Sequence, residues 1–518
     1  MSPTKPHKWV VAGTVLLPTI MAVLDASIVN VALPDMSGSL GASLEEITWV
    51  VTGYILANVI IMPIIGLLSA HIGRKRFYVA SVILFTTSSM ACGLARTLPL
   101  LVVFRIVQGI GGGVLIPVSQ AILRETFPLE EQGLAMGIFG MGVVLAPAIG
   151  PTLGGWLTDQ YSWPWIFYVN LPVGVVCVAL ILRFIHDPPF LAREHGRFDI
   201  PGLALLTIGL GSLQLMLEKG ESKDWFESAM IVDLTVAAAL GMALFIWHEL
   251  RAKHPAVELR LMRDVSFSSA TFLGGILGAG LYGTLFVLPL YFQRLLGYSA
   301  MDSGLALMPR SLTMVVVMPI GGFLYNRLGA RVLVGTGLAV SALSFFQLSR
   351  LTLDMNAWDL FLPQMWQGVG FGLIFVALST AAFATIPRPK ITAAAGLYNV
   401  VRQVFGSVGI ALSATQLSSA TTRYREILSS HVTPYDFETR RWLAVAASGL
   451  GRSADHAGAA QRALRLLDLD VTRQATMLSY DHAFLMVSLL FAASIPLAFL
   501  LRTPRVGRAG RGDSVALD

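Results

Sequence analysis

The sequence predicts an all-α membrane protein of fourteen helices, arranged as two six-helix bundles with an inserted helix pair between them. Composition gives the class: of 518 residues, 55% are hydrophobic and only 13% are charged, against about 25% charged residues in a typical soluble domain. The mean hydropathy of +0.68 agrees with this class. Fourteen apolar runs and an internal repeat predict the number of helices and their arrangement.

Each predicted helix follows from an apolar run of about 20 residues, the length that crosses the hydrocarbon core of a bilayer. The runs lie at about 9–33, 47–69, 78–95, 98–122, 134–157, 165–185, 202–218, 229–248, 266–290, 303–325, 332–350, 360–386, 393–416 and 482–501. The basic N-terminal segment resembles the beginning of a secretory signal peptide. Its apolar run continues to about Leu33, which is longer than a signal core, so we expect an uncleaved first span.

Positive charge predicts the orientation. An even number of spans places both termini on one side, and the short loops on that side carry most of the loop Lys and Arg, including RKR at 74–76. Cytoplasmic loops are enriched in Lys and Arg, so we expect both termini to be cytoplasmic. The net charge of +6 and the pI near 9.4 then reflect topology, and we expect no nucleic-acid partner.

The second half of the chain is a diverged copy of the first. GLLSAHIGRK at 66–75 recurs as GFLYNRLGAR at 322–331, and RIVQGIGGG at 105–113 recurs as QMWQGVGFG at 364–372. A parallel repeat of this kind is known in transporter folds. We therefore divide the chain into an N-terminal six-helix bundle, an inserted helix pair with cytoplasmic linkers, and a C-terminal six-helix bundle with a long periplasmic loop. These segments are 1–186, 187–265 and 266–518, and the loop is 418–481.

A carboxylate lies inside the first apolar run. Asp25 interrupts LLPTIMAVLDASIVNVALP, where a charge costs at least a few kcal/mol. Arg105 and Gln108 share one face of the fourth predicted helix. Asp25 and Arg105 each lie about eight residues from the same surface, which is roughly 12 Å of helix, so they can share a layer. Two interpretations stay open: a static pair of neutralising charges, or an Asp25 that binds and releases protons while Arg105 competes for its ionised form. We expect Asp25 to lie at the seam between the two bundles, where transporters of repeated architecture bind their substrates.

Three other features each allow a structural and a functional interpretation. Arg310 and Arg402 are buried charges that either serve helix packing, satisfied by backbone carbonyls, or act in transport. In the fifth span, small residues and two prolines predict either a tight packing seam or a point of flexing. The basic loops after spans 2 and 10 are either anchors at the membrane surface or a latch on helix C-termini.

A series of motifs in order resembles a known family. They are LDASIVNVALP (24–34), TWVVTGY (48–54), GLLSAHIGRK, RIVQGIGGG, ETFP (125–128), GPTLGGW (150–156), WIFYVNLPVG (165–174), LQLMLEKGESKDWF (213–226), LPLYFQRLLGYSA (288–300) and GLYNVVRQVFGSVG (396–409). The series resembles the fourteen-span drug–proton antiporter branch of the major facilitator superfamily, and within it the EmrB-like multidrug exporters of the EmrB/QacA subfamily. The resemblance covers almost the whole chain.

The resemblance implies proton-driven export of hydrophobic or amphipathic compounds and assigns roles to residues. Asp25 and Arg105 fall on the proton-coupling positions. The antiporter motif of the fifth span falls on Gly150, Pro151, Gly154 and Gly155, and the cytoplasmic loop motif on Gly66, Gly73, Arg74 and Lys75. We expect six further residues along the substrate path: Asn30, Gln108, Arg310, Asn399, Arg402 and Gln403. Ala70 and His71 depart from the family pattern in the loop after span 2, which weakens the latch interpretation, and Pro164 replaces an arginine of the family pattern in SWPWIF.

The resemblance also implies partners and a location. LQLMLEKGESKDWF resembles members that work in Gram-negative inner membranes with a periplasmic membrane-fusion adaptor and an outer-membrane channel. In the loop 418–481, apolar residues at helical spacing (Ala460, Leu464, Leu467 and Val471) predict an amphipathic helix running into the last span. This segment either docks an adaptor or is a solvated connector.

Small drug-like molecules, protons and the lipid bilayer are the other expected partners, and no metal or cofactor is expected. An enzyme is not predicted, because there is no nucleotide-binding loop, metal-ligand spacing or catalytic trio. Cys92 and Cys177 lie in apolar runs and are expected to pack in the core. Two rival functions remain: a dedicated exporter of one metabolite, such as a siderophore, fatty acid or antibiotic, and a non-transporting receptor or scaffold.

Overall fold

The computed structural model describes residues 6–188, 199–353, 355, 357–450 and 456–502, and these residues form helices and connecting turns without strands. Within these described ranges, twelve helices are long and apolar enough to cross a membrane. They are α1 (Lys8–Leu40), α2 (Leu44–Ile72), α3 (Arg74–Leu94), α4 (Leu98–Thr126), α5 (Leu129–Gln160), α6 (Trp165–Phe184), α7 (Ile200–Lys219), α8 (Ala229–Arg251), α9 (Val265–Leu295), α10 (Met301–Leu348), α11 (Trp358–Ala381) and α14 (Gly458–Leu500). Between the last two lie α12 (Ile391–His431) and α13 (Phe437–Leu450).

The number of fourteen spans stays a prediction, and the difference has two sources. The predicted spans 303–325 and 332–350 run together as α10, which bends at Gly329 (φ 78°). The predicted span 393–416 lies in α12, whose Asn399, Arg402 and Gln403 lower its hydropathy. The other predicted ranges each coincide with one helix. The structure therefore confirms an all-α membrane protein without fixing how many times the chain crosses.

Local geometry supports the repeat. Ser43 and Ser299 cap α2 and α10 by accepting a backbone N–H three residues on. Two pairs of glycines, Gly41 with Gly297 and Gly73 with Gly329, adopt positive φ, a conformation that favours glycine because it lacks a Cβ. The members of all three pairs lie 256 positions apart, the same separation as the two loop motifs. Equivalent turns thus occur at equivalent places in both halves.

The helices of each half pack mainly on one another. In the first half, α1 contacts α4, α5 and α6, α2 contacts α4, and α3 contacts α4 and α6. In the second half, α9 contacts α12, α10 contacts α11 and α14, and α12 contacts α14. The predicted insert, α7 and α8, packs as a pair, and α7 contacts both α2 and α12. The helix packing agrees with the predicted bundles, whose boundaries remain a prediction.

The insert is bonded to both halves. On the first half, Lys219 Nζ donates to Thr48 Oγ1 at 2.8 Å. On the second half, Gln214 Nε2 donates to Ser407 Oγ at 2.8 Å and the Trp225 indole donates to Thr415 Oγ1 at 2.9 Å. Helix α7 and the turn after it therefore bridge the two halves.

The two halves also meet directly, near the face at which α1 begins and α14 ends, which we call the terminal face. Asn326 Nδ2 of the second half donates there to the Glu130 carbonyl of the first half. At the same face, Lys8 at the start of α1 pairs with Glu131, and Arg331 Nε donates to the Leu501 carbonyl after α14 at 2.7 Å. Close to this face, four glycines lie so near a residue of the other half that a Cβ would not fit between them. The pairs are Gly66 with Ala393, Gly396 with Met62, Gly133 with Gly322, and Gly137 with Met318. The halves are closed together at the terminal face.

The segment 418–481 is not the loop that we predicted. Helix α12 has 41 residues and α14 has 43, each roughly 60 Å long at 1.5 Å per residue, about twice the thickness of a bilayer core. Thr421 bonds Ser479 at 3.0 Å and Arg425 pairs with Asp468 at 2.7 Å. The two helices thus continue past the membrane as an antiparallel pair, with α13 packed on α14.

The amphipathic helix expected in that segment is present, but two of the four residues predicted for its buried face were wrong by one position. Ala459 and Ala463 are buried, whereas Ala460 and Leu464 are exposed and Leu467 and Val471 are half-buried. Alanine is small enough to let α14 approach its neighbours closely, so packing selected the alanines rather than the larger leucine. Leucine side chains remain on the solvent side of this pair.

Candidate functional site

Asp25 is buried inside the first half and is fully hydrogen-bonded. It is 1% exposed, and its Oδ2 accepts from Arg105 at 2.6 Å. Its Oδ1 accepts from Gln108 Nε2 at 2.9 Å and from Asn170 Nδ2 at 2.8 Å. Three donors thus satisfy the two oxygens of the carboxylate. The predicted proximity of Asp25 and Arg105 is thus observed as a direct ion pair.

Arg105 has partners besides the carboxylate. Its guanidinium is 1% exposed, donates to Gln108 Oε1 at 2.8 Å, and donates through Nε to the Val50 carbonyl at 3.1 Å. The ring of Tyr54 lies 4.2 Å from the guanidinium carbon, a cation–π contact. The Val50 and Gln108 oxygens are neutral acceptors. Arg105 therefore keeps hydrogen bonds even when Asp25 carries no charge.

Three members of this cluster were not predicted as site residues. Asn170 bonds both Asp25 and Ser89, whose hydroxyl donates to the Phe167 carbonyl at 2.9 Å. Tyr54 covers Arg105, and Cys92 Sγ lies 3.6 Å from Gln108 Oε1. Asn170 and Tyr54 occur inside two of the motifs that carry the family resemblance. A polar residue within an apolar span was the available indication for Asn170.

The cluster lies within one bundle. All the partners of Asp25 named here come from α4 and α6 of the first half, so our expectation of a carboxylate at the seam between the two bundles was wrong. The helix rotation explains this, because the face of α1 that carries Asp25 packs on α4 and α6 of its own half. The carboxylate is buried in protein and faces neither lipid nor bulk solvent. A role in transport must therefore act through helix packing in the first half.

The other residues predicted along the substrate path do not converge on one place. Asn30 is exposed and bonds its own helix at the Ala26 carbonyl. Asn399 Nδ2 donates to Gln120 Oε1 at 2.6 Å and so joins the two halves. The remaining three are in the second half: Arg310 is buried beside Gln367, Arg402 stacks 5.5 Å from Phe375, and Gln403 lies 3.5 Å from the Tyr282 hydroxyl.

The glycine–proline motif packs α5 on α1. A Cβ on Gly150 would meet Ser27, and one on Gly154 would meet Ile28. Gly155 faces open space. Ser27 Oγ donates at 3.3 Å to the carbonyl of Pro147, and the helix continues past Pro151 to Gln160. The structure thus contains the tight seam, and flexing at the prolines remains a prediction.

The loop motif after α2 is bonded within its own half. Gly73 adopts φ 91° at the turn, and Arg74 makes a two-pronged contact with Glu125 at 2.6 and 2.7 Å. Lys75 Nζ donates to the Leu182 carbonyl at the end of α6 at 2.7 Å. Arg331, which is the equivalent of Lys75 in the second half, bonds Leu501 in the same way. These side chains do hold helix C-termini, one in each half.

No cluster of His, Cys, Asp or Glu in the described part of the chain is arranged to hold a metal ion. The two cysteines, Cys92 and Cys177, are both buried and unpaired with each other.

With the fold and the buried cluster in place, comparison with known proteins identifies the family. The sequence matches the Major Facilitator Superfamily over residues 15–410. The chain belongs to the major facilitator superfamily. Similarity to EmrB-like proteins extends over nearly the full length, so the chain is an EmrB-like member and a transporter by family.

Three curated relatives support this placement. The fatty acid resistance protein FarB of Neisseria gonorrhoeae is 34% identical over 94% of this chain and 95% of its own length. The multidrug export protein EmrB of Escherichia coli K12 is 33% identical over 96% and 95%. The EmrB protein of Haemophilus influenzae is 36% identical over 81% and 82%.

Solved structures agree on the fold. The human organic anion transporter MFSD10 superposes with a TM-score of 0.63 at 14% identity, covering 94% of this chain and all of that one. The proton:xylose symporter XylE gives a TM-score of 0.58 at 12% identity, covering 95% and 96%. At these identities the similarity concerns the fold alone.

Proposed function

We propose that this protein is a proton-driven antiporter that exports hydrophobic and amphipathic compounds across the membrane. The observation that carries the proposal is the buried carboxylate of Asp25 inside an apolar bundle, held by Arg105, Gln108 and Asn170. Intramembrane ionisable residues are expensive and commonly mark proton pathways. The names of relatives, a multidrug export protein and a fatty acid resistance protein, support export of apolar compounds.

The arrangement suits reversible protonation. When Asp25 accepts a proton, its attraction for Arg105 falls, and Arg105 retains Gln108 Oε1, the Val50 carbonyl and the Tyr54 ring as partners. Protonation of Asp25 therefore leaves the buried guanidinium of Arg105 hydrogen-bonded. It weakens the connection between α1 and α4. Because α1 also packs on α5, which meets α10 of the other half, a loosened α1 can alter how the halves fit together.

In the proposed cycle, Asp25 is protonated from the side opposite the terminal face. The proton is released on the terminal side when substrate binds and the halves rock. The structure is closed at the terminal face, which fits the stage at which substrate leaves and a proton enters. With both termini in the cytoplasm, as the loop charges predict, the cargo leaves the cell and the proton enters it. In a Gram-negative cell the membrane would be the inner one.

Reconstitution into liposomes tests the proposal. An imposed pH gradient should drive accumulation of ethidium, and adding ethidium should in turn dissipate the gradient, as reported by trapped pyranine. A protonophore should abolish both effects. Ethidium accumulation that persists without proton movement would refute proton coupling, and a complete absence of transport across a varied compound panel would favour a receptor or scaffold.

A dedicated exporter of one metabolite is the alternative, and the FarB relative, a fatty acid resistance protein, keeps it open. A multidrug exporter and a dedicated exporter differ in the range of compounds that they export. Expression in a strain that lacks its own efflux pumps should raise resistance to many chemically unrelated toxins if the protein is a multidrug exporter. Protection against a single compound class would identify the dedicated exporter instead.

The helical pair beyond the membrane is the proposed docking site of a periplasmic adaptor that leads to an outer-membrane channel. It presents apolar side chains to solvent, among them Trp442, Val445, Leu464 and Leu469. Replacing Trp442 and Val445 by serine should reduce co-purification with an adaptor while leaving transport in liposomes unchanged. Unreduced co-purification would show that these side chains do not form the contact.

A further inference from the structure

Arg310 is a buried cation that has no acidic partner among the residues that the structure describes. It is 2% exposed and donates only a long bond, 3.4 Å, to Gln367 Oε1. Helix α10 carries one acidic residue, Asp302, at its start, and the stretches 303–353, 360–425 and 482–502 of the second half include no Asp or Glu. An uncompensated guanidinium in a membrane interior costs several kcal/mol, and such a residue is expected to have a partner or a function.

Comparison of the two halves shows which group is absent around Arg310. At the separation of 256 that aligns Gly41 with Gly297, Arg310 corresponds to Tyr54 and Asp25 corresponds to Leu281. By the alignment of the α4 and α11 motifs, Gln364 and Gln367 correspond to Arg105 and Gln108. The second half therefore keeps a guanidinium and an amide at this level, but an apolar residue replaces the carboxylate.

The amides beside Arg310 are incompletely paired. Gln367 Nε2 and Gln364 Oε1 are buried and lack hydrogen-bond partners within the described part of the chain. Gln367 accepts from Arg310 through Oε1, so its free amide nitrogen lies next to the guanidinium. A guanidinium with an adjacent free N–H is a donor set that fits a carboxylate. The half-buried residues Leu307 and Ser311 place this donor set within one helical turn of accessible surface.

We propose that Arg310 and Gln367 bind the carboxylate of an amphipathic anion, such as a fatty acid, which supplies the charge that Asp25 supplies in the first half. The inference rests on the proposed export function and names one substrate class for it. The second half then discriminates by head-group charge, while the apolar tail contributes affinity through burial. Lipophilic cations would be bound without Arg310.

A matched pair of ligands tests this proposal: laurate and dodecyltrimethylammonium share a twelve-carbon tail and carry opposite charges. Binding of both is measured on the full-length protein in nanodiscs, without a proton gradient and in chloride-free methanesulfonate buffer. Arg310→Gln should weaken laurate binding about 10- to 100-fold, the loss expected for hydrogen bonds to a charged group. It should leave dodecyltrimethylammonium binding unchanged, which also shows that the variant is folded.

Two controls sharpen the result. Arg310→Lys keeps the charge and should restore part of the laurate affinity. Arg350→Gln removes an exposed arginine that stacks on Phe346 and should have no effect. The proposal is overturned if Arg310→Gln binds laurate like the wild type, if it loses both ligands equally, or if chloride alone displaces laurate and stabilises the wild type, which would indicate a small inorganic anion. Because no gradient is applied, a failure of proton coupling would not change this outcome.

Discussion

A buried carboxylate and a buried guanidinium each cost several kcal/mol unless they compensate one another. Asp25 and Arg105 do so through a 2.6 Å ion pair, with both side chains at most 1% exposed. Gln108 and Asn170 add neutral donors to the carboxylate. Removing one charge leaves the other uncompensated, whereas replacing both by amides keeps hydrogen bonds and removes the charge. Stability and proton coupling can therefore be separated by mutation.

We expect Arg105→Gln alone to lower the free energy of unfolding by about 3–5 kcal/mol, because it leaves the Asp25 charge buried without a cation. Adding Asp25→Asn in the same chain should recover most of that loss. Unfolding of the two variants and the wild type in nanodiscs measures the difference. If the double variant is no more stable than Arg105→Gln, charge compensation is not what the pair contributes.

The proximity of Asp25 and Arg105 could be predicted because the depth of a residue in the membrane follows from its position along a helix. Asn170 and Tyr54 could not, because their contacts depend on how α2 and α6 are rotated and which helices lie beside them. The same limit explains the error over the position of Asp25: one sequence gives the level of a residue in the membrane, but it does not say whether that face meets its own bundle or the other one.

At the scale of elements, close approach between helices of different halves depends on glycine. Gly396 on α12 lies against the Met62 carbonyl of α2, and Gly133 on α5 lies against Gly322 of α10. Small residues at helix interfaces permit backbones to come this near. These contacts lie near the terminal face, so the glycines determine whether the halves can close there.

Gly396→Val should therefore prevent full closure at the terminal face. The readout is labelling of a cysteine at Asn399, which is buried between the halves, by a membrane-impermeant maleimide applied from the terminal side. We expect labelling to increase several-fold. Gly335→Val is the matched control, because a Cβ at Gly335 would meet nothing within 4 Å. Equal labelling in both variants would contradict the role of Gly396.

Helix existence was predictable from apolar runs, and the termini of most helices were predicted within a few residues. The segment 418–481 was not, because its helices are polar and gain their stability from pairing with each other. The hydrogen bond of Thr421 to Ser479 is one such contact, whereas the exposed ion pair of Arg425 with Asp468 contributes little. Periodicity indicated a helix there, but it could not distinguish the small buried alanines from the exposed leucines.

At the scale of the whole molecule, two similar bundles are closed at one end and joined near the other by the α7 insert. Direct contacts between the halves, such as Asn399 with Gln120 and Arg124 with the Phe383 carbonyl, lie toward the terminal face. A transporter in this state should be accessible from the opposite face. Asn30, which is polar and exposed on α1, lies on that side of Asp25.

A cysteine at Asn30 should thus react with a membrane-impermeant maleimide supplied from the side opposite the termini, and much more slowly when the reagent is supplied from the terminal side. Native Cys92 and Cys177 are buried and should contribute little background. Substrate added on the terminal side should slow the reaction as the halves rock. Equal reaction from both sides would contradict a structure that is closed at the terminal face.

The most direct test of the account uses the neutral double variant, Asp25→Asn with Arg105→Gln, in liposomes with trapped pyranine. The variant should remain folded and should carry ethidium down its concentration gradient, yet release no protons on ethidium addition and show no response to an imposed pH gradient. Substrate-driven proton flux at the wild-type rate in this variant would contradict the account, because it would show that the proton is carried by another group.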